Sequence, residues 1–252
     1  MDIDERVRAR LAAETRFRDV RWLAEVDSTN RVARDIGDPW TVVVADHQSA
    51  GRGRLGRSWE APAGTALLLS VVLAPGGLPL QRVHLLTAAV GLAAADACAE
   101  VAGVRPALKW PNDLLVGDGK LAGILAELVT TEPLVVVVGM GLNLTAAPAG
   151  AACLSEGSPG LETTRDDVLL ALLENLDRRL AGDWDGLAAD YRQRCATVGR
   201  EVRVEALDGT VRTGRAERID RAGRIVVSFP PGGREEVIDA GDVHHLRVAS
   251  GR

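Results

Sequence analysis

Three arginines interleaved with glycines, in Gly51-Arg52-Gly53-Arg54-Leu55-Gly56-Arg57-Ser58-Trp59, are the residues of this sequence best suited to holding an anion. A guanidinium meets phosphate or carboxylate oxygens with two parallel N–H donors, and glycines let backbone N–H groups approach the same oxygens. The segment also fits G-x-G-x-x-G, the dinucleotide-binding turn. That turn must open a helix, however, and here Pro62 and Gly64 lead into an apolar run at 65–74 that reads as strand. With few apolar residues to anchor it, the loop is expected to be mobile until an anion arrives. Taken alone, such a loop is more often a solvated, charged surface turn.

A second group of charges follows in Lys109-Trp110-Pro111-Asn112-Asp113, with Lys120 seven residues beyond Asp113 and then Gly123-Ile124-Leu125. Gly117-Asp118-Gly119 has the chemistry of a hairpin turn, so the two lysine-bearing strands can lie side by side and bring cations and one carboxylate to a single pocket. Lysine is a compact charge suited to phosphate, and the Asp113 carboxylate suits Mg²⁺ or a charge partner. The plain alternative is a surface salt-bridge network, which contributes little stability. A Walker A loop is excluded, because Leu121 follows Lys120 and Leu stands at 114.

The elements needed to position these groups are legible as periodicity. Helices are expected at 2–14, 28–36, 79–102, 164–181 and 184–195, with a Ser28 hydroxyl able to cap the second, Pro79 in the first turn of the third and Gly103 past its end. Strands are expected at 18–26, 41–46, 65–74, 107–110, 113–116, 120–129 and 134–142, an order that implies a mixed or antiparallel sheet. After a loose Ala, Gly and Pro stretch at 145–160 and the last helices, short β-rich runs at 201–206, 211–218, 224–229, 235–238 and 245–248 suggest a small barrel. The expected division is a main domain at 1–197 and a barrel at 198–252.

Composition bounds what such a chain can be. The sequence holds 252 residues, 46% hydrophobic and 26% charged, enough for one large core with a small companion. Its formal charge of −5, from 35 acidic and 30 basic residues, argues against a whole-surface nucleic-acid binder, so no DNA partner is expected and any phosphate is held locally. The longest strongly apolar run, at 65–74, is about half of a membrane span. The N-terminus Met1-Asp2-Ile3-Asp4-Glu5 lacks a signal peptide's basic and apolar regions; no membrane association and a cytoplasmic location are expected. Cys98, Cys153 and Cys195 suggest reduced structural thiols, and His244 and His245 lack a third ligand for a metal.

Together the motifs resemble the biotin protein ligase family, whose signatures run G-R-G-R-x-G-R-x-W-x-S-P-x-G and K-W-P-N-D followed by K-x-x-G-I-L. Here they read Gly51 to Gly64 and Lys109 to Leu125, with a Ser-Thr-Asn triplet at Ser28-Thr29-Asn30 and a G-x-G-x-N turn at Gly139 to Asn143 in the family's order. One departure is Ala61, where the family commonly has Ser before the proline. The resemblance implies an α+β fold: a catalytic domain of the class II aminoacyl-tRNA synthetase type with a mixed sheet, followed by a small C-terminal SH3-like β-barrel. The residues ahead of Ser28 are too few for the N-terminal DNA-binding domain of some members, so a monofunctional ligase is expected rather than a repressor.

The resemblance further implies ATP, Mg²⁺ and biotin as substrates and cofactors, and the lysine of a biotin carboxyl carrier protein or domain as acceptor. Lys120, Arg54 and Asp113 are implied as catalytic, with Asp113 also the candidate for metal. Ser28, Thr29, Asn30, Gln48, Gly51, Arg52, Lys120 and Gly123 would contact biotin, and hydroxyl and amide groups there can match the donors and acceptors of a cyclic urea. Arg54, Arg57, Trp59, Lys109, Asn112 and Asn143 would contact ATP or the adenylate, with Gly141 also lining the pocket. Monomer and homodimer are both open. The nearest rivals are a lipoate or octanoate ligase, whose substrate has no ureido ring, and a non-catalytic biotin-sensing regulator.

Overall fold

Near-continuous apolar runs in the central strands build a sheet covered on both faces, and this sheet carries the candidate site. The computed structural model describes residues 3–157, 164–206, 209–239 and 242–245. The chain runs α1 (Glu5–Glu14), β1 (Val20–Val26), α2 (Thr29–Ile36), β2 (Val42–Gln48), β3 (Ala66–Leu73), α3 (His84–Ala102), β4 (Ala107–Lys109), β5 (Asp113–Val116), β6 (Gly119–Thr131) and β7 (Leu134–Asn143). Helices α4 (Arg165–Ala181) and α5 (Trp184–Arg194) follow, then β8 (Glu201–Glu205), β9 (Val211–Ile219), β10 (Ile225–Phe229), β11 (Arg234–Ile238) and β12 (Asp242–His245).

The first seven strands form one sheet in the order β1-β2-β3-β7-β6-β5-β4. Only β1 and β2 are parallel, so the sheet is mixed, as the element order implied. Alternation separates its faces. Val42 and Val44 of β2, Leu67, Leu69 and Val71 of β3, and Val136 and Val138 of β7 enter the main core with residues of α1, α3, α4 and α5. Val43, Val72 and Val137 point the other way, into a smaller cluster with Ala33 of α2. The N-terminus of α2 thereby lies on the face that Ser70, Gly139 and Gly141 share.

Two expectations are corrected in this region. The single helix at 79–102 is divided into a 3₁₀ turn, Leu80–Arg82, and α3 from His84, with Gly103 ending it at φ 67°. The apolar run at 65–74 is not the longest: Leu80–Ala102, 23 residues, holds an 18-residue segment of mean hydropathy 1.6, long and apolar enough to cross a membrane. That segment is 72% buried within the protein. Its alanines and Gly91 let neighbours close in, since a Cβ on Gly91 would lie 3.1 Å from Leu108 Cδ2. It is a core helix here.

The C-terminal strands form a second, antiparallel sheet in the order β11-β10-β9-β8-β12, the small all-β unit expected after the last helix. The strand expected at 245–248 lies largely outside the described residues, as do Asp208 of the expected turn and the side chains of His244 and His245. The two units meet at Trp110, which is 1% exposed. Its indole N–H donates to Gly223 O at 3.0 Å and its backbone N–H to Thr197 Oγ1 at 3.0 Å.

Candidate functional site

Small residues keep a strip of the sheet clear. Gly123 of β6 is paired across strands with Gly141 of β7, and Leu125 with Gly139. A Cβ at Gly141 would lie 2.7 Å from Trp59 Cζ2, and one at Gly123 would lie 3.0 Å from both Trp59 Cζ3 and Lys120 Nζ. The indole of Trp59 therefore fills a slot that only glycines can leave open.

This slot corrects the expectation that the arginine loop lacks an apolar anchor: Trp59 supplies one. The loop itself is a short hairpin, bridged at Arg52 and Ser58, with Gly53 N–H donating to Arg57 O at 2.7 Å and Trp59 N–H to Gly51 O at 2.9 Å. Its tip, a 3₁₀ turn at Arg54–Gly56, holds Leu55 at φ 55° and leaves it 53% exposed. No periodic pattern in the sequence marks such an anchor, because its partner glycines lie more than sixty residues away on other strands.

Lysine and aspartate come together by register. β4 pairs with β5 through Lys109 and Asp113, and β5 with β6 through Asp113 and Gly123, so both lysines reach one carboxylate. Lys120 Nζ is 2.6 Å from Asp113 Oδ1 and Lys109 Nζ is 3.7 Å from Asp113 Oδ2. Lys120 also lies 5.6 Å from the Trp59 ring centroid, within cation–π range. Asn112 is held by its Nδ2 donating to Ile124 O at 2.7 Å.

Hydroxyl and amide groups gather where α2 starts. Ser28 occupies the N-cap position of α2, but its side chain makes no capping bond, contrary to expectation. Thr29 donates from both its backbone N–H and its hydroxyl to Gln48 Oε1, at 2.7 and 2.9 Å. Asn30 Nδ2 donates to Glu127 Oε2 at 2.7 Å and to Leu125 O at 3.3 Å. Asn30 stands over Gly139, where a Cβ would lie 2.8 Å from its Cγ. Gly139 is two residues along β7 from Gly141, a step of about 7 Å in an antiparallel strand. The neutral polar groups and the Lys120–Asp113 pair thus lie at different distances along one strip, with Trp59 between.

A cavity of about 120 Å³ joins these groups. It is lined by Ser28, Thr29, Asn30, Gln48, Arg52, Arg54, Arg57, Trp59, Lys109, Asn112, Asp113, Lys120, Gly123 and Gly141 among others. Its charged lining is five cations and one carboxylate, in a chain whose formal charge is −5. That concentration attracts anions locally while the surface as a whole does not. Trp59 Nε1 is buried without a hydrogen-bond partner.

Two expected contact residues lie behind the wall. Gly51 lets the hairpin close, since a Cβ there would lie 3.0 Å from Gln48 Nε2. Asn143 Nδ2 donates to Ala152 O at 3.1 Å and Lys120 O at 3.4 Å, tying the following loop to β6, and lines only an adjoining hollow with Lys120 and Trp59. Conversely, Ser70, Glu127 and Val243 went unread in the sequence. Ser70 and Glu127 hold Asn30, and Val243 of β12 brings the second sheet to the cavity wall. None belongs to a local motif; each reaches the site only through strand register or packing between the two units.

As a lone carboxylate, Asp113 could share a Mg²⁺ only with a nucleotide's phosphates. Its neighbours are two ammonium groups, the charge-partner arrangement, and no group of three or more His, Cys, Asp or Glu among the described residues could hold a metal ion. Beside the cavity, the His84 imidazole is pushed below its ordinary value by burial, opposed by Asp239 and reinforced by Arg54.

Comparison with known proteins agrees with this geometry. Residues 23–143 match the model of the biotin/lipoate A/B protein ligase family. The chain is 40% identical to a biotin–[acetyl-CoA-carboxylase] ligase of Mycobacterium tuberculosis over 94% of this chain and 92% of that one. It is 35% identical to the ligase of that name from Paracoccus denitrificans, over 88% and 98%. The fold superimposes on the biotin protein ligase of Aquifex aeolicus in complex with biotin and ATP with a TM-score of 0.78, at 27% identity, covering 92% of this chain and all of that one. With the glycine floor, the arginine hairpin and the paired lysines in one cavity, the chain belongs to the biotin protein ligase family.

Proposed function

We propose that this enzyme condenses biotin with ATP to biotinyl-5′-AMP and pyrophosphate, then transfers the biotinyl group to one lysine of a biotin carboxyl carrier domain in the cytoplasm. The observation that carries the reading is the order along the strip: neutral hydroxyl and amide groups at Thr29, Asn30 and Gln48, then Trp59, then Lys120 with its Asp113 partner. That order matches a ligand with a cyclic urea at one end and a carboxylate at the other. The catalytic unit is taken as residues 1–197 and the barrel as 198–252.

In the first half-reaction a biotin carboxylate oxygen attacks the α-phosphorus of ATP, and the bond to pyrophosphate breaks. In the second, the carrier's amine attacks the acyl carbon of the mixed anhydride and AMP leaves. Negative charge grows on oxygen in both steps. Cations already gathered around the cavity stabilise it, which is why Lys120 and Arg54 are assigned to the reacting groups and Arg52, Arg57 and Lys109 to holding substrates. Asp113 positions the two lysines. Mg²⁺ enters with the substrate as Mg-ATP, and Asp113 is not assigned to it. Closing the arginine hairpin keeps water from the adenylate.

The test is biotin-dependent exchange of labelled pyrophosphate into ATP, with lipoate and octanoate as alternative acids. Exchange with biotin is expected, and Lys120→Ala should lower its rate by about 10²–10³, the usual effect of removing one charge-stabilising group. Exchange with lipoate or octanoate in place of biotin would assign the chain to the other branch of its family. No exchange with any acid from folded protein would leave a binding role.

A further inference from the structure

A chain of short oxygen–oxygen contacts runs from the floor of the cavity to its wall. Asn30 Oδ1 and Ser70 Oγ are 2.6 Å apart, Ser70 Oγ and Thr29 Oγ1 2.8 Å, and Thr29 Oγ1 and Gln48 Oε1 2.9 Å. Both ends are amide oxygens, which only accept, and the two hydroxyls between them carry one proton each. Three contacts are therefore served by two protons.

The deficit depends on which way Asn30 faces. Turned over, it would give its NH₂ to Ser70; Ser70 would donate to Thr29 and Thr29 to Gln48, completing the chain without a ligand. Glu127 opposes that turn, because the Asn30 amide nitrogen donates to its carboxylate at 2.7 Å and to Leu125 O at 3.3 Å, and the amide oxygen would be repelled by both. Arg34 holds Glu127 in turn, at 2.6 Å. At the far end the Thr29 backbone N–H, donating at 2.7 Å, fixes the Gln48 oxygen.

We propose that Glu127 and Ser70 are positioning residues for ligand selection: by holding Asn30 they leave the hydroxyl chain one proton short at Ser70 while Thr29 donates to Gln48, so that the site favours a ligand N–H that takes over the bond to Gln48 and frees the Thr29 hydroxyl for Ser70. A ureido N–H donating to Gln48 Oε1 in place of Thr29 lets Thr29 turn its proton to Ser70 and Ser70 its own to Asn30; an acid without such a donor leaves the Thr29 and Ser70 oxygens facing each other without a proton between them. Neither residue lines this cavity, though Glu127 lines the adjoining hollow beside Arg52, Arg54 and Arg57; both reach the ligand-facing groups through Asn30 and Thr29. The inference rests on reading this cavity as the biotin site.

The experiment is calorimetric titration of the full chain with biotin and with a biotin analogue methylated on the ureido nitrogens, for wild type, Glu127→Ala, Glu127→Gln and Ser70→Ala, with a thermal melt of each. The steric effect of the methyl groups is common to all four, so the change in the biotin-to-analogue affinity ratio reports the chain. Wild type should prefer biotin by about 10- to 100-fold, the worth of a hydrogen bond that is otherwise left unmade. Glu127→Ala and Ser70→Ala should lower that ratio about tenfold, and so should Glu127→Gln, whose one oxygen goes to Arg34 so that its NH₂ faces Asn30 and admits the turn. A purely structural role would lower melting temperatures and weaken both ligands alike, and an unchanged ratio in folded Ser70→Ala would overturn the proposal even if Glu127→Ala fails to fold. Retention of the ratio in folded Glu127→Gln would overturn the role given to the Glu127 carboxylate. Wild type that binds lipoate or octanoate but not biotin would instead defeat the assignment on which the inference rests.

Discussion

Gly141→Ala should disable the enzyme through a single methyl group placed against Trp59. The added Cβ would overlap the indole at Cε2 and Nε1, with Cζ2 at 2.7 Å, whereas carbon atoms pack at about 3.5–4.0 Å, so the indole must withdraw by more than about 1 Å. Strand β7 is central and cannot yield, being paired with β3 on one side and β6 on the other. The hairpin at 51–59 is the movable partner, and it carries Arg52, Arg54 and Arg57 with it. Overpacking of this kind costs about 1–3 kcal/mol, and a displacement of about 1 Å in a reacting group can cost about 10² in rate. Biotin-dependent pyrophosphate exchange should fall roughly 10- to 100-fold. The melting temperature should change little, since the hairpin rather than the core absorbs the strain. The decisive control is the double variant with Trp59→Ala: if the methyl acts through the indole, Gly141→Ala should add almost nothing to Trp59→Ala, a large coupling energy. Undiminished exchange in Gly141→Ala, or equal and additive losses, would refute the account of the slot.

His84 gives a pH signature: with its folded-state value held below the ordinary 6.5, the unfolded chain takes up a proton first as pH falls, so its contribution is present above about 6.5 and is lost below it. The drop in melting temperature between pH 7.5 and 5.5 should therefore be smaller in His84→Gln. Trp110→Phe removes the indole donor to Gly223 and leaves a carbonyl unpaired between the two units, which should cost about 1–3 kcal/mol in a denaturant titration with the sheet signal intact. Asp46 accepts from Trp22 Nε1 at 2.8 Å and pairs with Arg165 at 2.6 Å; burial works against its charge, but these partners outweigh it and hold its carboxyl below the usual range. Asp46→Asn should lose about 1–3 kcal/mol near neutral pH, and less in acid, where the native carboxyl also becomes protonated.

The arginine hairpin, the two lysines and the Ser-Thr-Asn triplet were legible because each is a contiguous run whose chemistry shows in its residue types. The sheet was legible because alternation and continuous apolar runs mark strands directly. α3 was legible as one long helix, while its apolar run stood out less than that of β3, because an alanine-rich helix buried almost all round has little contrast between faces. Asn143 and Gly51 were placed correctly in the motif but not at the cavity wall, since a motif does not say which face of a strand or hairpin a residue takes.

The sequence by itself determined the chemistry available: five cations, one carboxylate and a set of hydroxyls and amides, in segments whose periodicity makes them strands, turns and the start of a helix. Only the tertiary structure decided what those groups face. The pairing of β6 with β7 put Gly123 opposite Gly141 and so made a slot for Trp59. Pairing of β4, β5 and β6 turned two lysines onto Asp113. Ser70 and Glu127 were brought to Asn30 from strands 40 and 97 residues away along the chain. The physical reason is that strand register and helix packing are set by burial of the whole core, so which polar atoms come within hydrogen-bond distance is a property of the assembled sheet rather than of any one segment.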